Sequence, residues 1–106
     1  METDHATLFV AHSSFTVANG MTDEVKAAFR NRPRHVETAP GFVRMDVISP
    51  LASPDEIWLI TYWEDEASYR TWHGSEDHHD AHAEIPRGLK LVPGSAQVRF
   101  FEHVCS

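Results

Sequence analysis

The segment Trp72-His73-Gly74-Ser75-Glu76-Asp77-His78-His79-Asp80-Ala81-His82 holds four of the chain's eight histidines. Imidazole changes charge near neutral pH and is the commonest metal ligand. Three chemistries fit such a cluster. A solvated helix face would carry the histidines and bind nothing. A divalent-metal site would use His78 and His82, which lie four apart and share a helix face, with Asp80 or Glu76 nearby. An axial haem ligand would need one neutral imidazole facing an apolar cavity, with bulky side chains around the macrocycle. His82, with Ala81 and Ile85 beside it, is the candidate for that role.

Aromatic and polar residues elsewhere narrow the search. Trp58, Trp63, Tyr69 and Trp72 fall within fifteen positions, and the first three are expected in the core. Trp72 follows Tyr69 by three on the same helix face and precedes the break at Gly74, so it can wall a pocket between helices and sheet. Ser13 interrupts a strand face otherwise made of Phe9, Ala11, Phe15 and Val17. A hydroxyl buried there needs a partner, or points into a cavity. Arg30, Arg32 and Arg34 read as a solvated basic face. An anionic ligand group could use them, or could use Arg87 and Lys90 equally well. The single cysteine, Cys105, leaves no internal disulfide framework and no cysteine-based zinc site. Phosphate-cradling glycine loops and nucleophile elbows are absent from the sequence.

The elements that must position these residues follow from periodicity. Leu8 to Val17 alternates with a period of two and reads as a strand ended by Asn19-Gly20. Thr22 and Asp23 cap a helix through Val25, Ala28 and Phe29. Pro33 should kink it, with helix resuming briefly to about Val36. Pro40-Gly41 marks a turn before a strand over Phe42 to Ile48. A loop over Ser49 to Asp55 leads to a third strand, Ile57 to Trp63. Its sequence, IWLITYW, is apolar on both faces, so both should be covered. The chain's own helices can cover one, and a second subunit the other. Glu64 to Trp72 begins with acids, which suit a helix N-terminus. A short helix from Glu76 to about Glu84 would carry the histidines, and Gln97 to Val104 would close the sheet. The order β-α-β-β-α-β, with right-handed crossovers, predicts an α+β ferredoxin-like fold: an antiparallel sheet with helices on one face.

A chain of 106 residues makes one domain, residues 1–106, and can bury roughly 60–65% of its unfolded surface. Sixteen acids against nine bases give a net charge of −7, which argues against a nucleic-acid partner. No apolar stretch has the length of a membrane span, and Met-Glu-Thr-Asp-His does not open a secretory signal, so a cytoplasmic protein is the expectation.

Nearly the whole chain resembles the antibiotic biosynthesis monooxygenase (ABM) superfamily of dimeric α/β-barrel proteins. The likeness rests on the element order, on Val36-Glu37-Thr38-Ala39-Pro40-Gly41-Phe42 before the second strand, and on Tyr62-Trp63-Glu64-Asp65-Glu66-Ala67 with Trp72 a short helix later. Within the superfamily, the IsdG-type haem-degrading enzymes are the nearest functional analogue. Their tryptophan and proximal histidine stand ten positions apart, as do Trp72 and His82. The resemblance therefore implies that His82 ligates haem iron and that Trp72 presses on the porphyrin and distorts it. Ser13 falls where that family has an asparagine that bonds to the distal oxygen; serine can donate the same bond but is shorter. Arg87 and Lys90 would meet the propionates. The family implies a homodimer and oxidative opening of the ring with release of iron. Two alternatives share the fold: a cofactor-free oxygenase of phenols or quinols, with His82 or His79 as base, and a non-enzymatic dimeric module that binds haem or another small ligand.

Overall fold

A computed structural model describes residues 7–32, 36–75 and 86–106. The chain runs β1 (Phe9–Thr16), α1 (Thr22–Arg30), a single 3₁₀ turn (Val36–Thr38), β2 (Phe42–Ile48), β3 (Glu56–Trp63), α2 (Glu66–His73) and β4 (Gln97–Glu102). The sheet order is β2-β3-β1-β4, and every neighbouring pair is antiparallel. This is the α+β ferredoxin-like arrangement expected from the element order.

Period-two alternation divides the strands between two faces. Phe9, Ala11, Ser13 and Phe15 of β1, and Val17 just beyond it, look toward the helices. Trp63, Thr61, Leu59 and Ile57 stand beside the first four of them on β3, and Phe100 and Val98 flank Ala11 and Ser13 on β4. The opposite face carries Val10, His12 and Ser14 of β1, Trp58, Ile60 and Tyr62 of β3, and Arg99 and Phe101 of β4. Trp58 is therefore a correction to the expected core. It lies half-buried on the face away from the helices, its ring 4.6 Å from that of His12, because its parity in β3 is opposite to that of Trp63.

The helices form where expected but start and end for different reasons. Thr22 does not cap α1. Met21 holds the N-cap position without a side-chain bond, and the Thr22 hydroxyl instead donates to Asp55 Oδ1 at 2.6 Å, tying the helix to the loop before β3. The helix stops at Arg30, ahead of Pro33. The Asn31 backbone and side-chain amides both donate to the Ala27 carbonyl, at 3.0 and 2.9 Å. Helical backbone returns at Val36 as a 3₁₀ turn; Pro33, Arg34 and His35 lie outside the described residues. Arg32 is not part of a solvated face. It is half-buried, paired with Glu37 at 2.7 Å and bonded to the Phe29 carbonyl.

Asp65 caps α2 by accepting from the Ser68 amide at 2.8 Å, and this bond holds its carboxyl below the usual carboxylate range. Gly41 sits against the same turn with φ +82°, and a Cβ there would collide with the Ser68 side chain. Its carbonyl accepts from the Glu64 amide at 2.8 Å. The Pro40-Gly41 turn thus locks the start of β2 onto the start of α2. Among the described residues no helix is long and apolar enough to cross a membrane.

Candidate functional site

Among the described residues the helix-covered face carries two separate apolar clusters. Ala11, Val36, Trp63, Tyr69 and Trp72 form one buried cluster, with Phe9, Ala39, Phe42 and Met45 packed against it. Val17, Val25 and Ile57 form a second, joined by Phe15, Met21, Phe29, Val47 and Leu89. Along β1, Phe9 and Ala11 belong to the first and Phe15 and Val17 to the second. Ser13 lies between them and belongs to neither. Its cross-strand neighbours are Leu59 on β3 and Val98 on β4, and neither of those is in a cluster. A short polar side chain therefore marks a break in the apolar interior.

Trp72 belongs to the first cluster, with Ala11, the β1 neighbour of Ser13 on this face. Trp63 beneath it is fully buried, and its indole N–H donates to the Thr61 hydroxyl at 2.9 Å. Tyr69 packs against Phe9, Trp63 and Phe100 with ring centroids 5.5–5.9 Å apart, and burial pushes its phenol pKa up, partly offset by Arg70. The aromatic wall is thus rigid and dry. On the β4 side the lining is open: Val98 and Phe100 are 52% and 44% exposed although they face the helix side of the sheet. Exposed apolar side chains beside a half-buried hydroxyl suit a flat, largely apolar ligand with one polar atom to orient.

The structure brings Ser13 and Trp72 onto the same face of the sheet. Arg87 and Lys90 are exposed, in the loop that docks on the second cluster through Leu89. That loop is fastened by Ala18 N–H donating to the Lys90 carbonyl at 2.8 Å and by Asn19 donating to the Gly88 carbonyl at 2.7 Å. Ala18 is five residues beyond Ser13, roughly 17 Å if the chain stays extended, so the loop carrying the two cations is fastened beyond the end of β1. His82, His78, His79, Glu76 and Asp80 lie outside the described residues. Among the described residues no group of three His, Cys, Asp or Glu side chains could hold a metal. Two contributors had gone unnoticed in the sequence, Leu59 and Val98. The signal for Val98 was present in QVRFFE, whose positions 98 and 100 share the parity of Ser13 through the β1–β4 register.

Residues 8–84 match the antibiotic biosynthesis monooxygenase family profile. The chain belongs to the ABM family. A haem oxygenase (mycobilin-producing) of Mycobacterium tuberculosis is 25% identical over 60 residues, which are 57% of this chain and 57% of that protein. The chain's match thus spans little more than half the length of that relative. Among solved structures, an ABM-type protein of Bordetella bronchiseptica superposes with a TM-score of 0.78 at 15% identity, covering 93% of this chain and 99% of that one. The haem degrader MhuD of Mycobacterium tuberculosis, solved with two haems in its active site, gives 0.75 at 23% identity, covering 92% and 97%. At these identities the structural likenesses establish the fold.

Proposed function

We propose that this ABM-family chain binds haem between its two core clusters and, with electrons from an external reductant, uses O₂ to open the ring and release iron. The observation that carries the reading is Ser13 on the helix-covered face, outside both apolar clusters, with the buried Trp72 in one of them and the exposed Val98 and Phe100 on the neighbouring strand. When bound, haem would supply the iron and the oxidation chemistry. The chain's residues would do the rest. His82 would ligate the iron, and Trp72, backed by Trp63 and Tyr69, would press one side of the macrocycle. The Ser13 hydroxyl would donate a hydrogen bond to bound oxygen-derived groups or a water. Arg87 and Lys90 would meet the propionates. The haem oxygenase relative and the haem-bound MhuD structure support the choice of ligand.

We further propose a homodimer formed through the sheet face opposite α1 and α2. Phe101 is 40% exposed there, and among the described residues His12 Nε2 has no hydrogen-bond partner. Trp58, Ile60 and Phe101 supply apolar surface around it. A second copy would cover these groups, and light scattering on the purified protein tests for it.

Hemin titration tests the function. The expected result is a Soret band saturating near one haem per chain, lost in His82→Ala, and bleached by a reductant in air. A band that survives reductant leaves a haem carrier. No spectral change transfers the reading to a cofactor-free oxygenase of phenols. A Soret band unchanged in His82→Ala would remove His82 from its role.

A further inference from the structure

A second recess lies on the opposite edge of the sheet, between α1 and β2. It encloses about 280 Å³ and is lined by Lys26, Phe29, Arg30, Arg32, Val47, Ile48, Ser49 and Ile57. Its apolar lining includes Ile57, which is 1% exposed, with the half-buried Phe29 and Val47. Lys26 and Arg30 are one helical turn apart on α1, so their side chains rise from the same side of the helix. Among the described residues, neither cation joins an ion pair or a side-chain hydrogen bond. Arg32 differs, because Glu37 already neutralises it. Two cations outside any ion pair among the described residues, beside an apolar lining, make this recess locally basic on a chain whose net charge is −7.

We propose that the recess binds an amphipathic monocarboxylate: the carboxylate between Lys26 and Arg30, and a short aliphatic or single-ring body on Phe29, Val47 and Ile57. The charge selects an anion, and a carboxylate matches the planar donor fork of Arg30. The apolar lining selects an organic body over an inorganic ion. The small volume limits the body to a medium chain or one ring, well short of a macrocycle. Ser13 and Trp72 do not line this recess, so it is separate from the proposed haem site. Arg30 is exposed and Lys26 half-buried, so binding weakens as salt screens them.

Two-dimensional amide NMR with octanoate as the probe tests this. Shifts are expected at Lys26–Arg32 and Val47–Ser49, saturating in the millimolar range, as befits solvent-exposed charge contacts. Octanol, with the same chain and no charge, should bind about tenfold more weakly, and so should octanoate to Lys26→Gln/Arg30→Gln, since each loses the charge-assisted contacts. The unperturbed remainder of the variant's spectrum verifies its fold. Equal affinity for octanol, equal affinity of the variant, or shifts centred on Ser13 and Val98 would overturn the proposal. So would saturation by acetate at the same concentration, which would leave only charge attraction. Co-sedimentation with anionic phospholipid vesicles, lost in the variant, would replace the free carboxylate with a membrane surface.

Discussion

The two faces of the sheet use the same strands and bury their side chains to different extents. On the helix side, β3 contributes Ile57 and Trp63, at 1% and 0% exposure. On the other side it contributes Trp58, Ile60 and Tyr62, all half-buried. Both sets are apolar, so hydrophobicity alone does not separate them; the covering layer does. The helix side has α1 and α2, with Trp63, Tyr69 and Trp72 packed into one cluster. On the open side, side chains lie on one another. Arg44 covers the Tyr62 ring at 4.3 Å, Arg99 covers Phe101 at 5.1 Å, and His12 leans on Trp58. Guanidinium groups shielding aromatic faces blunt an apolar surface without removing its capacity to meet another one.

The largest expected effect separates the two tryptophans. Trp63→Ala should cost about 3–5 kcal/mol in denaturant-induced unfolding, the range for an aromatic removed from a closed core. Trp58→Ala should cost clearly less in the same experiment. Equal losses would mean that the two faces are equally closed. Next, Ile60→Glu should leave the circular dichroism spectrum intact and shift light scattering to the monomer mass, because a carboxylate buried in a dimer interface lacks a partner. A folded dimer in that variant would place the subunit contact elsewhere. Gly41→Ala tests the covered side from its edge. The left-handed backbone and the collision with Ser68 should cost about 1–3 kcal/mol of stability, with no change in subunit mass. The smallest effect belongs to Asp65. Its folded carboxyl titrates below its unfolded value, so its contribution is complete above the ordinary aspartate range and fades as pH falls through the folded pKa. Asp65→Asn keeps a capping oxygen and should flatten that acid limb of the stability curve slightly. An unchanged limb would show that other carboxylates set it.

Strand positions were legible in the sequence because alternation and turn residues both marked them. Phe42–Ile48 is bounded as expected, and β3 begins one residue early, at Glu56. Helix starts were less legible. Thr22 has the right chemistry for a cap, but a hydroxyl bonds whichever acceptor the tertiary fold supplies, and here that is Asp55. Arg32 illustrates the same point, since a neighbouring carboxylate five residues on withdraws it from solvent. Trp58 shows the limit of reading apolar strands. IWLITYW announces two buried faces but does not say which one the helices take, and only the register with β1 decides it. At the candidate site, Ser13 was legible as an anomaly of type. The division of the core around it was not, because it depends on which distant side chains meet.

That division has a thermodynamic consequence. Among the described residues Ser13, Leu59 and Val98 stand outside both clusters, so the apolar residues around α2 and those around α1 form separate groups. Each group can then loosen somewhat independently, as in sub-global opening. A guest lodged along the seam would touch both groups at once and make them exchange amide hydrogens as one unit. Occupancy would thus be written in the cooperativity of the whole domain, at amides far from the guest itself.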